Sequence, residues 1–402
     1  MTTTTTFDPK LYDHDTFVPG VPFEAFARLR REAPVFRQVA PTGTPFWVLT
    51  KYDDVVRVSQ DSATFSSAQG TNIEDLGAGT ELMMLNMDPP RHTKLRNLIS
   101  KGFTPKMTRA MEPHIRDITN AIIDKVARRG ECDFVTDIAA ELPLGVIAEL
   151  IGVPAEEQHL IFEWGNQMVG MEDPEYATSM ETAMNAAGNM FAYAEQLAGK
   201  RREHPRDDLV SILTGAEVDG EKLTPLEFNV FFMLLSVAGN ETTRNLTSHA
   251  MLALGEHPEQ QARLLADPAL MPTAVEEMLR WGSVVMYFRR TTTCEVEIRG
   301  QRIGPNEKIT IWYISANRDE DIFPNPDVFD VGRTPNNHVA FGGGGAHFCL
   351  GASLARLEIR ILFEELLRRL PDITTAGPPA RLRSNFINGI KHLPVRFTPE
   401  RS

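Results

Sequence analysis

Phe341-Gly342-Gly343-Gly344-Gly345-Ala346-His347-Phe348-Cys349-Leu350-Gly351 is the stretch on which the reading of this chain turns. Four successive glycines let a backbone pass close to a flat or bulky neighbour, because no Cβ stands in the way. Cys349 comes just before a helical pattern over residues 352–370, where the helix dipole and free N–H groups favour a thiolate. A thiolate whose sulfur accepts hydrogen bonds is a tuned metal ligand. Three other chemistries fail on this stretch. A phosphate loop needs Lys and then Ser or Thr after its glycines, and neither follows. Zinc needs more ligands than His347 and Cys349 supply. Gly351-Ala352-Ser353-Leu354-Ala355 is one glycine short of a nucleophile elbow and has no convincing triad partners. A glycine turn around a buried structural cysteine is the plain alternative.

Upstream, Thr224-Pro225-Leu226-Glu227 reads as an N-cap, a first-turn proline and a capping-box glutamate, and His257-Pro258 as a stop. The spacing predicts a helix of about 30 residues, roughly 45 Å long. Its middle, residues 231–235, is apolar all round, which places it in the core. Ala238-Gly239-Asn240-Glu241-Thr242-Thr243 interrupts that pattern. Ala238 and Thr242 share a face, and a buried carboxylate and hydroxyl are costly unless used or satisfied. They fit a notch for a small ligand with a proton relay beside it, or a kink whose threonine bonds back to the preceding turn. Glu277 and Arg280, three apart in a helical run, can meet. In Asp88-Pro89-Pro90-Arg91-His92-Thr93-Lys94-Leu95-Arg96, His92 and Arg96 lie four apart and can clamp an anion such as a carboxylate, or form a solvated basic turn.

With 42% hydrophobic and 24% charged residues among 402, the chain is globular, neither disordered nor fibrous. A net charge of −13 argues against nucleic acid or an anionic membrane surface as the main partner. Cys132, Cys294 and Cys349 are odd in number and far apart, so a reducing cytoplasm fits better than a disulfide framework. The longest apolar run, residues 230–238, is about half of the roughly 20 residues a membrane span needs, so no span is expected. Strand signals fall at Val35-Phe36, residues 46–49, residues 294–314 and the tail from Lys391, with helical patterns from about residue 90 to 281. The expected fold is mostly α with small β-sheets near both ends, in one very large domain or two.

The set of motifs and their order strongly resembles the cytochrome P-450 monooxygenases: His92-x-x-x-Arg96, then Ala238–Thr243, then Glu277-x-x-Arg280, then the glycine-rich His347-x-Cys349-x-Gly351. The resemblance covers nearly the whole chain and implies a single domain over residues 16–402 after a flexible start, residues 1–15. It implies a triangular prism of helices around a buried haem b, with Cys349 as axial thiolate. It implies that His92, Arg96, Arg290 and His347 hold the haem propionates, with Arg289 a possible substitute for Arg290. Glu277, Arg280 and Arg333 would form a structural ion cluster. Glu241 and Thr242 would deliver protons for dioxygen activation and insertion of one oxygen atom into an unactivated C–H bond. A thiolate suits that chemistry because its electron push favours O–O cleavage. Electrons would come from a ferredoxin and its reductase, docking near Lys94, Lys101, Lys106, Arg109, Arg356 and Arg360.

Phe341 lies eight residues before Cys349, where many bacterial members have seven. This longer loop, with LNMDPPRHTKLRNLISKGFTP near the start and LRSNFINGIKHLPV near the end, resembles a narrower group: hydroxylases of methyl-branched lipids, steroid side chains and terpene alcohols. An apolar lipid oxidised near a terminal methyl is the expected substrate, with Met84, Leu85, Ala238, Val285 and Phe386 as candidate pocket walls. A non-catalytic haem sensor and a zinc or structural-thiol protein are the rival classes; the Glu241-Thr242 pair argues for turnover.

Overall fold

The computed structural model describes residues 7–75, 80–177, 179–218 and 220–400. In chain order its helices are α1 (Phe23–Glu32), α2 (Tyr52–Gln60), α3 (Arg91–Ser100), α4 (Pro105–Ala110), α5 (Glu112–Val126), α6 (Glu141–Ile151), α7 (Gln158–Val169), α8 (Met180–Glu203), α9 (Leu209–Gly215), α10 (Pro225–Glu256), α11 (Pro258–Ala266), α12 (Met271–Gly282), α13 (Tyr313–Ala316) and α14 (Ala352–Arg369). The longest, α10, starts where the sequence predicts. The Thr224 hydroxyl accepts from the Glu227 N–H at 3.2 Å, and the Glu227 carboxylate accepts from the Thr224 N–H at 2.9 Å. This capping box satisfies two N–H groups that a helix start leaves open. The helix runs 32 residues and packs against α6, α8, α12 and α14, so it forms the axis of the main apolar core.

One five-stranded sheet has the order β1 (Val35–Val39), β2 (Pro45–Leu49), β10 (Lys308–Trp312), β7 (Tyr287–Thr292), β3 (Phe65–Ser66). Strand β10 runs parallel to β2 and antiparallel to β7. A second sheet, β11 (Thr374–Thr375), β14 (Pro394–Arg396) and β4 (Glu131–Asp133), pins the chain end to the start of the helical region. Three two-stranded ribbons complete the strands: β5 (Glu217–Val218) with β6 (Glu221–Lys222), β8 (Val296–Ile298) with β9 (Gln301–Ile303), and β12 (Ala380–Arg381) with β13 (Ile390–His392). Two smaller apolar clusters lie on the five-stranded sheet, one including Val55 and Val58 of α2 and the other Phe26 and Leu29 of α1.

Two expectations change. The strand region opens at Tyr287 rather than near residue 294. Strand β7 is covered on both faces, so Tyr-Phe-Arg-Arg-Thr-Thr lacks the apolar–polar alternation that exposes a half-buried strand. Of residues 1–15, expected to be a flexible start, residues 1–6 lie outside the described residues and residues 7–15 include packed positions. Leu11 is fully buried with its N–H donating to Gln38 Oε1 at 3.2 Å, and Asp15 pairs with Arg383 at 2.5 Å.

Candidate active site

The glycine loop is held from behind by a helix. Gly342, Gly344 and Gly345 adopt φ of +97°, +94° and +76°, which side chains rarely tolerate. A Cβ on Gly343 would sit 2.7 Å from Ser59 Oγ and 3.0 Å from Val56 Cα, and Gln60 Nε2 donates to the Gly343 carbonyl at 3.1 Å. The neighbour that these glycines approach so closely is therefore the C-terminal end of α2. The loop closes when the Cys349 N–H donates to the Phe341 carbonyl at 2.9 Å. Burial raises the Cys349 thiol above its ordinary range, while the Gly351 N–H and the charges of Arg96 and Arg356 pull it down without prevailing. The helix start alone does not hold the thiolate that the sequence suggests; a bound metal cation would. Cys349 nevertheless presents accessible surface, although it is surrounded closely enough for burial to dominate its thiol.

The structure brings four predicted residues together near this cysteine. The rings of His92 and His347 lie 4.2 Å apart. Arg290 and Arg96 act electrostatically on both rings. Burial is the main cause holding His92 down to about 4 and His347 down to about 3, with these arginines adding to it, so both rings are neutral near pH 7. His347 Nε2 lies 3.2 Å from Ser67 Oγ, and Arg96 donates to the Phe348 carbonyl at 2.6 Å. Arg290 is buried, donates to the Arg289 carbonyl at 2.8 Å, and makes no direct ion pair among the described residues, Asp88 acting on it only through space. The Nδ1 atom of His92 is buried without a partner. Arg289 is engaged elsewhere: neighbours on a strand face opposite sides, and Arg289 is bound by the Gln69 and Asn72 carbonyls and by Asp75 at 2.5 Å. Of the two arginines, Arg290 belongs to the cluster.

The central helix carries the other half of the site. Between its two ends the helix is buried except at Leu234, Val237, Ala238, Gly239 and Thr242, and of these Leu234, Ala238 and Thr242 stand one turn apart on one face. The Thr242 hydroxyl donates to the Ala238 carbonyl at 2.8 Å. That is the back-bond of the plain reading, and it leaves the oxygen free to accept. Gly239 lets α6 close in, since a Cβ there would sit 2.6 Å from an Ile147 side-chain carbon. Glu241 points away toward α7. One of its oxygens pairs with Arg244, the other is buried without a partner, and burial raises its proton affinity against the pull of Arg244. Arg244 also donates to Asn166 Oδ1 of α7 at 2.5 Å. Neither Arg244 nor Asn166 was singled out from the sequence. Arg244 was legible in principle, because it stands three residues after Glu241, as Arg280 does after Glu277.

Glu277, Arg280 and Arg333 meet in a closed cluster. Both Glu277 oxygens bind Arg280, at 2.7 and 2.8 Å, and both accept from Arg333, at 3.1 and 3.2 Å. The Asp330 N–H and Asn336 Nδ2 donate to the same carboxylate. Arg280 and Arg333 extend to carbonyls of residues 317–328, which fastens the segment leading to the cysteine loop.

Of the pocket candidates, Val285 and Phe386 are joined: Val285 bridges Ile387, and the Met286 N–H donates to the Phe386 carbonyl at 2.9 Å. Met84 and Leu85 lie in the short turn Met84–Asn86 and are half-buried. Ala238 is the most accessible of the five. The basic residues expected to meet a redox partner divide. Arg356 is bound to Glu276 at 2.7 and 2.9 Å, and Arg360 to Glu112 and Glu364 at 2.8 and 3.1 Å, so neither is a free cation. Lys94, Lys106 and Arg109 are exposed, while the Lys101 side chain lies outside the described residues.

Cys349 and the nearby donors that lack a paired anion fit one group, haem, whose iron would take the sulfur and whose propionates would take the donors. The fold and site define a haem-thiolate monooxygenase. Comparison with known proteins agrees, and the chain belongs to the cytochrome P450 family, whose profile matches residues 172–374. It is 45% identical over 391 residues to a methyl-branched lipid omega-hydroxylase of Mycobacterium tuberculosis, covering 93% of this chain and 90% of that protein. It is 41% identical to a steroid C26-monooxygenase of Rhodococcus jostii, covering 96% of this chain and 84% of that protein. The solved structure of a Mycobacterium marinum cytochrome P450 in complex with pseudoionone superposes with a TM-score of 0.90 at 40% identity, covering 93% of this chain and 94% of that one. Among the described residues no helix is long and apolar enough to cross a membrane.

Proposed function

We propose that this enzyme hydroxylates a methyl-branched lipid near its chain terminus, with haem b as cofactor and a ferredoxin with its reductase as electron source. The observation that carries the reading is the accessible Leu234–Ala238–Thr242 stripe on a buried helix, an apolar strip that ends in a hydroxyl. It suits a slender chain laid along the helix more than a polar ligand. The identity to methyl-branched lipid omega-hydroxylases supports the substrate class. The steroid C26-monooxygenase relatives favour a second reading, in which the oxidised chain is a steroid side chain.

When bound, haem supplies the activation of dioxygen. Cys349 would ligate its iron, and His92, Arg96, Arg290 and His347 would bind its propionates. The residues around it have distinct tasks. Thr242, its hydrogen directed to Ala238, offers an oxygen lone pair toward the accessible notch and orients a donor there. Burial raises the proton affinity of Glu241 against the pull of Arg244, and the oxygen that lacks a partner is where a proton would be carried. Arg244, held by Asn166, fixes the other oxygen and thus the direction of transfer. Apolar walls at Met84, Leu85, Val285 and Phe386 exclude water from the reacting carbon.

The test is turnover of the purified enzyme, supplied with a ferredoxin and reductase, on a long-chain fatty acid bearing a methyl branch near its end. The expected product carries one hydroxyl on the terminal carbon. No oxidation of that lipid, with oxidation of a sterol side chain instead, selects the second reading; oxidation of neither overturns both.

A further inference from the structure

Beside the cysteine loop stands a cluster of three side chains to which the reaction described above gives no task. Glu276 of α12 accepts from Arg356 of α14 at both oxygens, from Nε at 2.7 Å and from Nη2 at 2.9 Å. One of these oxygens also lies 3.0 Å from His338 Nε2. The Ala340 N–H donates to His338 Nδ1 at 3.2 Å, so the ring hydrogen sits on Nε2 and points to Glu276. Burial works against the charge of Glu276, but His338 and Arg356 outweigh it and hold the carboxyl down to about 2. Near pH 7 the pair is therefore fully ionised.

The guanidinium has a second neighbour. It lies 4.6 Å from the centre of the Phe341 ring, and the Phe341 carbonyl accepts the Cys349 N–H at 2.9 Å. Phe341 alone thus joins the cation to the cysteine backbone. Burial is the main influence on the Cys349 thiol, and Arg96 and Arg356 are the charges that act against it; Glu276 does not act on it. The ion pair is thus oriented, with its positive end toward the sulfur. Its contribution to folding is small: the two side chains are 37% and 29% exposed, and such pairs contribute at most about 1 kcal/mol. What the pair does provide is direction. A two-point contact fixes the guanidinium plane, where a free arginine would extend into water.

We infer that Glu276 and Arg356 are positioning residues for the cysteine ligand: Glu276 clamps the guanidinium against Phe341, where its fixed positive charge raises the reduction potential of iron bound to Cys349. The inference rests on the proposed ligation by Cys349. Reduction adds one electron at that site, and a nearby cation favours the more negative state. Arg96, the other cation acting on the sulfur, is assigned to a propionate that would offset its charge, which leaves Arg356 as the uncancelled one.

The test is a dye-mediated spectroelectrochemical titration of the substrate-free holoenzyme without ferredoxin, so that docking plays no part. The reduced carbon monoxide spectrum of each preparation reports thiolate ligation separately. Arg356→Gln should shift the reduction equilibrium about tenfold toward the oxidised state, ~59 mV for one electron. Arg356→Lys keeps the charge but loses the two-point contact, and less than half of that shift is expected. Glu276→Gln should also lower the potential, because it loosens Arg356, whereas loss of a negative charge acting directly on the iron would raise it. The last two variants decide the matter if Arg356→Gln does not fold. A wild-type protein without the thiolate band overturns the ligation and this inference with it. With the band present, a potential unmoved by Arg356→Gln, lowered equally by Arg356→Lys, or raised by Glu276→Gln overturns the inference alone.

Discussion

Two buried Glu-x-x-Arg pairs stand in this molecule at identical spacing, Glu277 with Arg280 on α12 and Glu241 with Arg244 on α10. In the first, every carboxylate oxygen is used: two guanidinium groups, one amide side chain and one backbone N–H converge on it. In the second, one oxygen pairs with Arg244 and the other has nothing. The same four-residue pattern thus produces a saturated joint in one place and an unfinished one in the other. A saturated carboxylate has no oxygen left to offer a further partner and serves the fold. A half-satisfied one carries a desolvation cost that the fold alone does not explain, and it stands next to Thr242, on the accessible stripe.

The sharpest way to break this contrast is one isosteric change made twice. Glu277→Gln presents an NH₂ group to donors on every side and leaves Arg280 and Arg333 without counter-charge. We expect a loss of about 3–5 kcal/mol in urea unfolding, the range for breaking a buried ion pair. Glu241→Gln can turn its NH₂ to the position that has no partner and keep its oxygen on Arg244. Stability should fall by less than about 1 kcal/mol, a loss smaller than one ordinary hydrogen bond can cost. Turnover should fall about 100-fold, at the lower end of what a positioned proton donor contributes. Equal destabilisation by the two changes would remove the distinction.

Arg244 sharpens it further. Arg244→Met removes the charge that lowers the proton affinity of Glu241, so the carboxyl should hold its proton to higher pH. Turnover should fall about tenfold, within the range of one charge-assisted contact, and the limb of the turnover–pH profile belonging to Glu241 should move upward. A uniform fall with an unmoved profile would make Arg244 a packing residue only.

The smallest effect concerns His392, whose two ring nitrogens meet Asp133 at 2.6 Å and Glu175 at 2.7 Å. Burial works against its charge, but these two carboxylates outweigh it and raise its proton affinity in the folded state. Stability from this contact is therefore full below the unfolded value of about 6.5 and fades as pH rises through the higher folded value. The gap in stability between wild type and His392→Gln should be larger at pH 6 than at pH 9. The ring is half exposed, so solvent screening keeps the gap small. A gap that widens with pH would reverse the assignment.

Much of this was readable from the chain alone. The capping box at Thr224 and Glu227 announces α10, because local hydrogen bonding sets a helix start. Strands β1 and β2 follow from apolar runs between turn residues, and the cysteine loop from its glycines. What escaped the sequence depends on contacts between distant segments. Strand β7 hides because both its faces are covered. The choice of Arg290 over Arg289 needs the direction of one strand, since adjacent residues swap faces. The glycines close on α2, nearly 300 residues earlier in the chain, and no local pattern names that neighbour. Asn166 becomes relevant only because α7 packs against α10.

The central claim is that Cys349 ligates haem iron as a thiolate. The most direct measurement is the visible absorption spectrum of the purified, reduced protein under carbon monoxide, for wild type and Cys349→Ala, with circular dichroism confirming that both fold. The account predicts a red wild-type protein with the strongly red-shifted band of a thiolate-bound haem, and a variant that keeps its helices and loses that band. A folded wild-type protein that takes up no haem, or a variant with an unchanged band, would contradict it.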